Sequence, residues 1–177
     1  MLYKEKTISS KKIFNGKIIN LKVDTVSLPN GITATRELIE HPGGVAVVPV
    51  DENGFVYLVR QFRKPYEEFV LEIPAGKRDK DEDIIIGAKR ELSEETGLLA
   101  EKFIDLGEFY PTPGYVDEII YIYLALGLKK GEAHLDEDEF VETEKIHIDK
   151  LCNMIMNNEI KDGKTIAAIL KAKIYLG

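Results

Sequence analysis

The sequence predicts an α+β or α/β sandwich with a small additional antiparallel sheet at its N-terminus. Two observations indicate this fold class. Segments of strand character alternate along the chain with helical regions, and the first 40 residues contain hairpins rich in Lys, Ile and Val. At 177 residues, one compact domain is the default. We therefore expect a single domain over residues 1–177, with the hairpin sheet in residues 1–40 and the core in residues 41–177.

Three strands are predicted in the N-terminal part from local alternation and β-branched residues. They cover residues 12–14, 18–28 and 33–40. Pro29-Asn30-Gly31 lies between the last two strands, and a turn of this composition is typical of a hairpin. The edges and apolar residues of such a sheet would be exposed unless it pairs with another surface.

The core alternates between strands and helices. The apolar run in residues 45–50 lacks alternation, so we predict a strand that is buried on both faces. A turn at residues 51–54 joins it to a strand at residues 55–60. Further strands are predicted at residues 68–73, 103–110, 118–126 and 140–146, and helices before Gly97 and at residues 148–157 and 163–176.

Composition argues against several classes of function. The formal net charge of −7 argues against a nucleic-acid groove. The first residues lack the apolar core of a signal peptide, and the longest apolar stretch, residues 119–126, is too short to span a bilayer. Cys152 is the only cysteine, which fits a reducing compartment. We expect a cytoplasmic protein with neither nucleic acid nor a membrane as its partner.

The most informative segment covers residues 76–98. Gly76 is followed after five residues by Glu82, and after seven more by Arg90-Glu91-Leu92-Ser93-Glu94-Glu95-Thr96-Gly97-Leu98. On a helix, Glu91, Glu94 and Glu95 project from one face within one turn, because they stand at i, i+3 and i+4. Gly97 follows closely, as expected for a helix that ends in a left-handed residue.

Carboxylates on one helical turn repel one another, and a bound divalent cation would offset that repulsion more than Arg90 does. Carboxylate oxygens are hard ligands of the kind that hold Mg²⁺ against a phosphorylated substrate. The alternative is a solvated acidic face, which a chain with 31 Asp and Glu residues would show anyway. However, the segment fixes seven residue identities and two apolar positions. At roughly 5–8% usage per residue, a chance match is on the order of one in ten million, so we favour the metal site.

This segment resembles the Nudix box, Gly-x5-Glu-x7-Arg-Glu-U-x-Glu-Glu-x-Gly-U with U an apolar aliphatic residue, and satisfies every defined position. The chain is therefore similar to Nudix hydrolases, which cleave a nucleoside diphosphate linked to another moiety. The resemblance implies a Nudix-type α/β/α sandwich with a mixed central sheet, within the α+β class. It also implies Mg²⁺ as the cofactor, with Mn²⁺ as a substitute.

Residues outside the box resemble bacterial ADP-ribose pyrophosphatases. Pro113 stands fifteen positions past Leu98, near the spacing that is characteristic of that branch. Residues 60–63, 72–76 and 135–140 also look like it. The resemblance implies hydrolysis of ADP-ribose to AMP and ribose 5-phosphate. The alternatives are a hydrolase of another nucleoside diphosphate derivative and a non-catalytic ADP-ribose sensor; a purely structural acidic protein would leave the box unexplained.

The resemblance assigns roles to individual residues. The expected metal ligands are Glu91, Glu95, Glu94, the backbone carbonyl of Ala75, and Glu139. Catalytic roles are expected for Glu137, Glu94 and Arg90, with Glu137 as the general base in an acidic loop. If Glu137 and Glu139 are only solvated loop carboxylates, a box glutamate becomes the better base. Structural roles are expected for Gly76, Glu82 and Gly97.

Four residues are expected to bind substrate: Arg63, Arg36, Glu118 and Pro113. The planar guanidinium of Arg63 suits a diphosphate, and the alternative is a surface salt bridge with Glu67 or Glu68. Similarity to the branch suggests Arg36 for the adenosine end and Glu118 for the terminal ribose, although either could be only solvated. No aromatic residue stands out as a stacking partner for adenine.

The N-terminal hairpins have a counterpart in related ADP-ribose hydrolases, which use a comparable sheet in a two-fold dimer. We therefore expect a homodimer in which these strands pack on the partner chain, with a flexible terminal hairpin as the alternative. The other expected partner is a small nucleotide-sugar substrate.

Overall fold

The structure is a computed structural model that describes residues 3–79, 81–131 and 140–177. These residues contain ten strands and three helices. The strands are β1 Lys6–Asn15, β2 Asn20–Ser27, β3 Thr33–Glu40, β4 Gly44–Pro49, β5 Phe55–Arg63, β6 Glu68–Glu72, β7 Ala75–Lys77, β8 Leu98–Phe109, β9 Ile120–Lys130 and β10 Val141–His147. The helices are α1 Ile84–Thr96, α2 Ile148–Met156 and α3 Gly163–Leu176.

The chain separates into two compact units. One contains Met1–Gly43 and Tyr110–Ile119, and the other contains Gly44–Phe109 and Ile120–Gly177. We refer to them as the N-terminal unit and the core unit. Our expectation of one domain with a boundary at residue 40 stays a prediction.

The N-terminal unit is built on an antiparallel sheet with the strand order β1-β2-β3. A turn joins β2 and β3, and it contains Gly31 at a φ of 83°, a left-handed conformation that favours glycine. The predicted hairpin at this turn is confirmed. The predicted length of the first strand was wrong, because β1 runs over ten residues rather than three. All ten are exposed, so the strand is held by its pairing with β2 and shows little apolar alternation in the sequence.

The core unit contains a mixed sheet with the order β7-β4-β9-β8 and an antiparallel sheet with the order β10-β5-β6. In the mixed sheet β4 and β9 run parallel, whereas the other neighbours are antiparallel. All six residues of β4 are buried, which confirms the predicted strand with two covered faces.

Alternate residues of β4 contribute to two apolar clusters. Val45 and Val47 pack in a cluster with Ala88 and Leu92 of α1. Ala46 and Val48 belong to a second cluster with Leu151 of α2 and Ile169 of α3. Since successive side chains of a strand point to opposite faces, α1 covers one face and α2 and α3 cover the other. The expected α/β/α sandwich with a mixed sheet is confirmed.

Two predicted strand boundaries in the core unit were wrong. The strand predicted at residues 103–110 is β8, which begins at Leu98 directly after the end of α1. The strand predicted at residues 118–126 is β9, which continues to Lys130. The pair from Leu98↔Lys130 to Phe109↔Ile120 forms one long antiparallel ladder. Its outer part carries exposed charged residues, so apolar alternation does not reveal it. Within the described residues, no helix is both long and apolar enough to cross a membrane.

Candidate active site

Helix α1 presents the box carboxylates, and both of its ends are capped. At its start the side chain of Asp83 accepts a hydrogen bond of 3.0 Å from the backbone N–H of Ile85. At its end Gly97 adopts a φ of 65°, and its N–H donates to the carbonyl of Ser93 at 2.9 Å. Gly97 thus ends the helix in the expected left-handed conformation.

Two of the glutamates on this helix are buried. Glu91 is 5% exposed and Glu95 is 4% exposed, and they lie on the side of α1 that also buries Ala88 and Leu92. Glu95 accepts a hydrogen bond of 3.0 Å from the backbone N–H of Ala75. Burial of these carboxylates is costly unless they have polar partners or bind a cation, so this face is not a solvated acidic surface.

Gly76 is required by the position of Glu91. A Cβ atom at residue 76 would lie 2.2 Å from a carboxylate oxygen of Glu91, far inside van der Waals contact. Gly76 lies within β7 and pairs with Val45 of β4. The glycine therefore allows close approach between a strand and the helix carboxylate.

Arg90 joins three of the four box glutamates. Its Nε and Nη2 donate to the two carboxylate oxygens of Glu82 at 3.0 and 3.1 Å. Its Nη1 donates to Glu91 at 2.7 Å and to Glu94 at 2.8 Å. These partners, Glu82 above all, raise the pKa of Arg90 above its ordinary value. In turn Arg90 is the main cause of a lowered pKa at Glu82.

The donor chemistry of this cluster fits a hard divalent cation. Glu82, Glu91, Glu94 and Glu95 carry four formal negative charges, and Arg90 supplies one positive charge, which leaves a surplus of three. Carboxylates and a nearby backbone carbonyl are the oxygen ligands that Mg²⁺ takes. In the described part of the chain, however, no three His, Cys, Asp or Glu side chains are already grouped to hold a metal ion. Because Arg90 holds Glu91 and Glu94, a cation would share those carboxylates with the guanidinium.

Arg63 forms a bidentate ion pair, but not with the residues expected from the sequence. Its Nε and Nη2 donate to Glu72 at 2.6 and 2.7 Å. The expected alternative partners pair elsewhere, since Glu67 bonds to Lys64 and Glu68 to Lys161. The Glu72 carboxylate raises the pKa of Arg63, with smaller contributions from Asp162 and Glu95. Arg63 is therefore within electrostatic reach of the box helix.

Glu72 is shared between two cations. Its side chain is 2% exposed, and Lys164 at the start of α3 donates to the same carboxylate oxygen that Nη2 of Arg63 contacts. Burial raises the pKa of Glu72, but Arg63 and Lys164 together lower it more, so the net shift is downward. Glu72, which joins Arg63 to Lys164, lies only three residues before Ala75 in the chain.

Helix α3 also contacts the strand that leads to Ala75 through its N-cap. Asp162 caps the helix by accepting from the backbone N–H of Thr165 at 2.9 Å. The hydroxyl of Thr165 donates to Asp162 at 2.5 Å and accepts from the backbone N–H of Ile73 at 2.9 Å. Thr165 is fully buried. These bonds fix the backbone just before the Ala75–Gly76 pair.

Three of the expected substrate residues belong to the N-terminal unit. Arg36 on β3 pairs with Glu5. Pro113 lies in an exposed turn. Glu118 lies 3.3 Å from Nδ1 of His41, which also accepts from the backbone N–H of Gly43 at 3.1 Å. Glu137 and Glu139, the expected base and ligand, lie outside the described residues.

The sequence analysis gave no role to Glu72, Lys164 or Thr165. Glu72 had been noted only as part of residues 72–76. Two signals were available in the sequence. Glu72 is an acidic residue at the end of an apolar strand, and Asp162 stands three residues before Thr165 at a helix start. Neither signal indicates which distant residues meet there, because Glu72 and Lys164 are 92 positions apart.

Comparison with known families matches residues 40–169 to the NUDIX domain and residues 5–39 to the nucleoside diphosphate sugar hydrolase N-terminal domain. The chain is 46% identical to the methanol dehydrogenase activator of Bacillus methanolicus, over 95% of this chain and 92% of that protein. It is 45% identical to the ADP-ribose pyrophosphatase of Bacillus subtilis (strain 168), over 93% of this chain and 90% of that protein. A crystal structure of an ADP compounds hydrolase superposes with a TM-score of 0.88 over 99% of this chain and 96% of that one. The two sequences are 19% identical, so this likeness shows the fold alone.

Proposed function

Because this chain belongs to the Nudix family, we propose that it hydrolyses the diphosphate bond of ADP-ribose, giving AMP and ribose 5-phosphate. The observation that carries this proposal is the cluster of box glutamates around Gly76 and Arg90, two of which are buried. Its similarity to the Bacillus subtilis ADP-ribose pyrophosphatase supports the choice of substrate.

Hydrolysis of a diphosphate requires neutralisation of phosphate charge and alignment of a water with one phosphorus. Glu91, Glu95, Glu94 and the carbonyl of Ala75 would hold Mg²⁺ or Mn²⁺, and the cation would supply positive charge against the phosphates and make a bound water more acidic. Arg90 keeps Glu91 and Glu94 in place, and Glu82 in turn orients Arg90. Glu139 is a further ligand in this proposal.

The remaining assignments concern substrate and base. Arg63 offers a guanidinium fork to the diphosphate, since Glu72 uses only two of its five N–H donors. Arg36, Pro113 and Glu118 are proposed for the rest of the substrate. Glu137 is proposed as the general base, which accepts a proton from the attacking water.

The proposal extends to assembly and location. We propose a homodimer formed through the N-terminal sheet, where Ile8, Ile13 and Phe14 of β1 are exposed. The single cysteine, which can form no intrachain disulfide, supports a cytoplasmic location. The N-terminal match to a nucleoside diphosphate sugar hydrolase domain supports a nucleotide-sugar substrate of this class.

A product assay tests the proposed reaction. Purified protein is incubated with ADP-ribose, other nucleoside diphosphate sugars and nucleoside triphosphates, each with Mg²⁺, with Mn²⁺ and with EDTA. We expect AMP from ADP-ribose with metal and no product in EDTA. Preferential cleavage of another substrate would replace ADP-ribose in the proposal, and undiminished turnover in EDTA would reject it.

A second candidate function comes from the 46% identity to the methanol dehydrogenase activator of Bacillus methanolicus. In that case the protein would raise the turnover of a dehydrogenase. Adding the protein to a methanol dehydrogenase assay tests this. Faster turnover that disappears with Glu95→Gln would indicate that hydrolysis and activation use one site, whereas unchanged turnover would reject the second candidate.

A further inference from the structure

We propose that Glu72 is a positioning residue, which holds Arg63 in the orientation needed to contact a phosphate and is itself held from α3 by Lys164. This inference rests on the proposed function, because it concerns the diphosphate of the substrate. It adds Glu72 and Lys164 to a site for which the sequence indicated only Arg63.

The geometry of the ion pair carries the first step. Glu72 binds the Nε and Nη2 edge of Arg63 with two hydrogen bonds, so the guanidinium plane is fixed at two points. A guanidinium has five N–H donors, and three remain for another acceptor. A side chain that is 39% exposed and fixed in this way is pre-organised for an anion, because it loses little freedom on binding.

The second step concerns the space next to Arg63. Arg63, Glu72 and Lys164 line an open cleft of about 330 Å³, together with Tyr66, Val70 and Lys161. An anion in the cleft can therefore reach the free edge of Arg63.

The third step explains the need for Lys164. Glu72 is 2% exposed and Lys164 is 11% exposed, so this is a nearly buried ion pair. The two positive charges of Arg63 and Lys164 stand against the two negative charges of Glu72 and Asp162. Asp162, which bonds to Lys164 at 3.0 Å, fixes the amino group from the side of the helix cap. Loss of Lys164 would leave the buried carboxylate of Glu72 with Arg63 as its remaining cation and without its anchor on α3.

Positioning and simple electrostatics predict opposite effects of Glu72→Gln. If the carboxylate only opposes the substrate charge, its removal should strengthen anion binding. If it positions Arg63, its removal should weaken anion binding, because the amide of glutamine offers one acceptor oxygen in place of the two that anchor the guanidinium. The sign of the change therefore decides between the two roles.

The test uses inorganic diphosphate in EDTA, so it requires neither turnover nor metal. The side-chain Nε–H signals of the five arginines are recorded by NMR, and Arg63→Gln identifies the signal of Arg63. In the wild type we expect a protected Arg63 signal that shifts on titration with diphosphate. In Glu72→Gln we expect loss of that protection and an affinity for diphosphate that is about tenfold weaker, the effect of losing alignment in one charge-assisted hydrogen bond.

A double mutant shows whether Glu72 acts through Arg63. We expect Arg63→Gln/Glu72→Gln to bind diphosphate no more weakly than Arg63→Gln alone, because the two changes remove one function. Additive losses would overturn the inference. So would tighter or unchanged binding by Glu72→Gln, and so would a wild-type Arg63 signal that diphosphate does not shift.

Variants of Lys164 keep the inference testable if Glu72→Gln does not fold. Lys164→Gln should weaken diphosphate binding severalfold, and Lys164→Arg should restore it. Lys161→Gln is the matched control, since Lys161 lines the same cleft but pairs with exposed Glu68. Equal losses in Lys161→Gln and Lys164→Gln would indicate a general charge effect and overturn the positioning role. A wild type that binds diphosphate as expected but cleaves no nucleotide sugar would reject the proposed function alone.

Discussion

At residue 76, a methyl group would occupy the space that the carboxylate of Glu91 fills. Glu91 accepts a hydrogen bond of 2.7 Å from Arg90, and its carboxylate oxygen lies only 2.2 Å from the place of a Cβ at residue 76, so a larger residue there would have to displace it. The glycine is not in a left-handed conformation, and its requirement comes from close approach alone. The sequence pattern identified this glycine but did not show why a glycine is needed there.

We predict that Gly76→Ala lowers kcat for ADP-ribose by about 100-fold, because the new Cβ must displace Glu91 by roughly an ångström or more. Unfolding in urea should also become easier, by about 1–3 kcal/mol. Gly114→Ala is the control, since a Cβ at residue 114 meets nothing within 4 Å. Equal activity of the two variants would show that Glu91 is not placed by Gly76.

Glu95 offers a second prediction at this scale. Glu95→Gln keeps an oxygen that can accept from the N–H of Ala75, so the fold should persist. The loss of one negative charge should lower kcat by roughly 10²–10³-fold and raise the metal concentration needed for half-maximal rate. Glu101→Gln, on an exposed side chain paired with Lys129, is the control. Normal turnover of Glu95→Gln over the whole range of Mg²⁺ concentrations would remove Glu95 from the set of ligands.

At the scale of the element, α3 supports the strand before the box although it follows the box by more than 60 residues. Sequence patterns located α3, β3 and α2 closely, since their caps, turns and apolar spacing are local. They missed most of β1 and the ends of β8 and β9, where long-range backbone pairing forms the strand. The same limit applies to the site, because the box is local whereas the contacts of Lys164 with Glu72 and of Thr165 with Ile73 depend on the fold.

We predict that Thr165→Val destabilises the protein by about 1–3 kcal/mol, although the two side chains have the same shape. The change leaves the buried N–H of Ile73 without its acceptor and removes a hydrogen bond to the cap Asp162. Urea unfolding of the wild type and the variant measures the difference. The same substitution at exposed Thr143 on β10 is the control and should change stability little. A similar small change at both positions would mean that the α3 cap does not brace this strand.

Lowering the pH should weaken the ion pair between Lys164 of α3 and Glu72 of β6. The pKa of Glu72 in the folded protein lies below its ordinary value of 4.5, since Arg63 and Lys164 outweigh the effect of burial. A lowered folded-state pKa contributes stability at pH values above 4.5, and that stability is lost as the pH falls through the folded-state pKa. We therefore expect the free energy of unfolding to fall more steeply below about pH 4.5 in the wild type than in Glu72→Gln. Parallel profiles for the two proteins would contradict the lowered pKa.

For the whole molecule, the sequence indicated the layers and the family because both depend on regular patterns. A strand without alternation predicts two covered faces, and the box has fixed spacing. No regular sequence pattern of this kind indicates how the chain assembles with other chains. The exposed apolar side chains of β1 and of the following turn, including Ile8, Ile13, Phe14 and Ile18, are the feature of the structure that bears on it. Side chains of this kind grouped in one exposed sheet favour association with another surface.

We predict that the wild type sediments as a dimer at micromolar concentration and that Ile13→Asp shifts it to monomer. A charge in an apolar interface must be desolvated without a partner, so the dissociation constant of the dimer should rise by at least about 100-fold. Ser9→Asp introduces the same charge on the same exposed strand and serves as the control, with a much smaller expected change. Thermal unfolding should show that Ile13→Asp remains folded, because Ile13 is half exposed within its own chain. A monomeric wild type, or equal dissociation of the two variants, would mean that the N-terminal sheet does not form the interface.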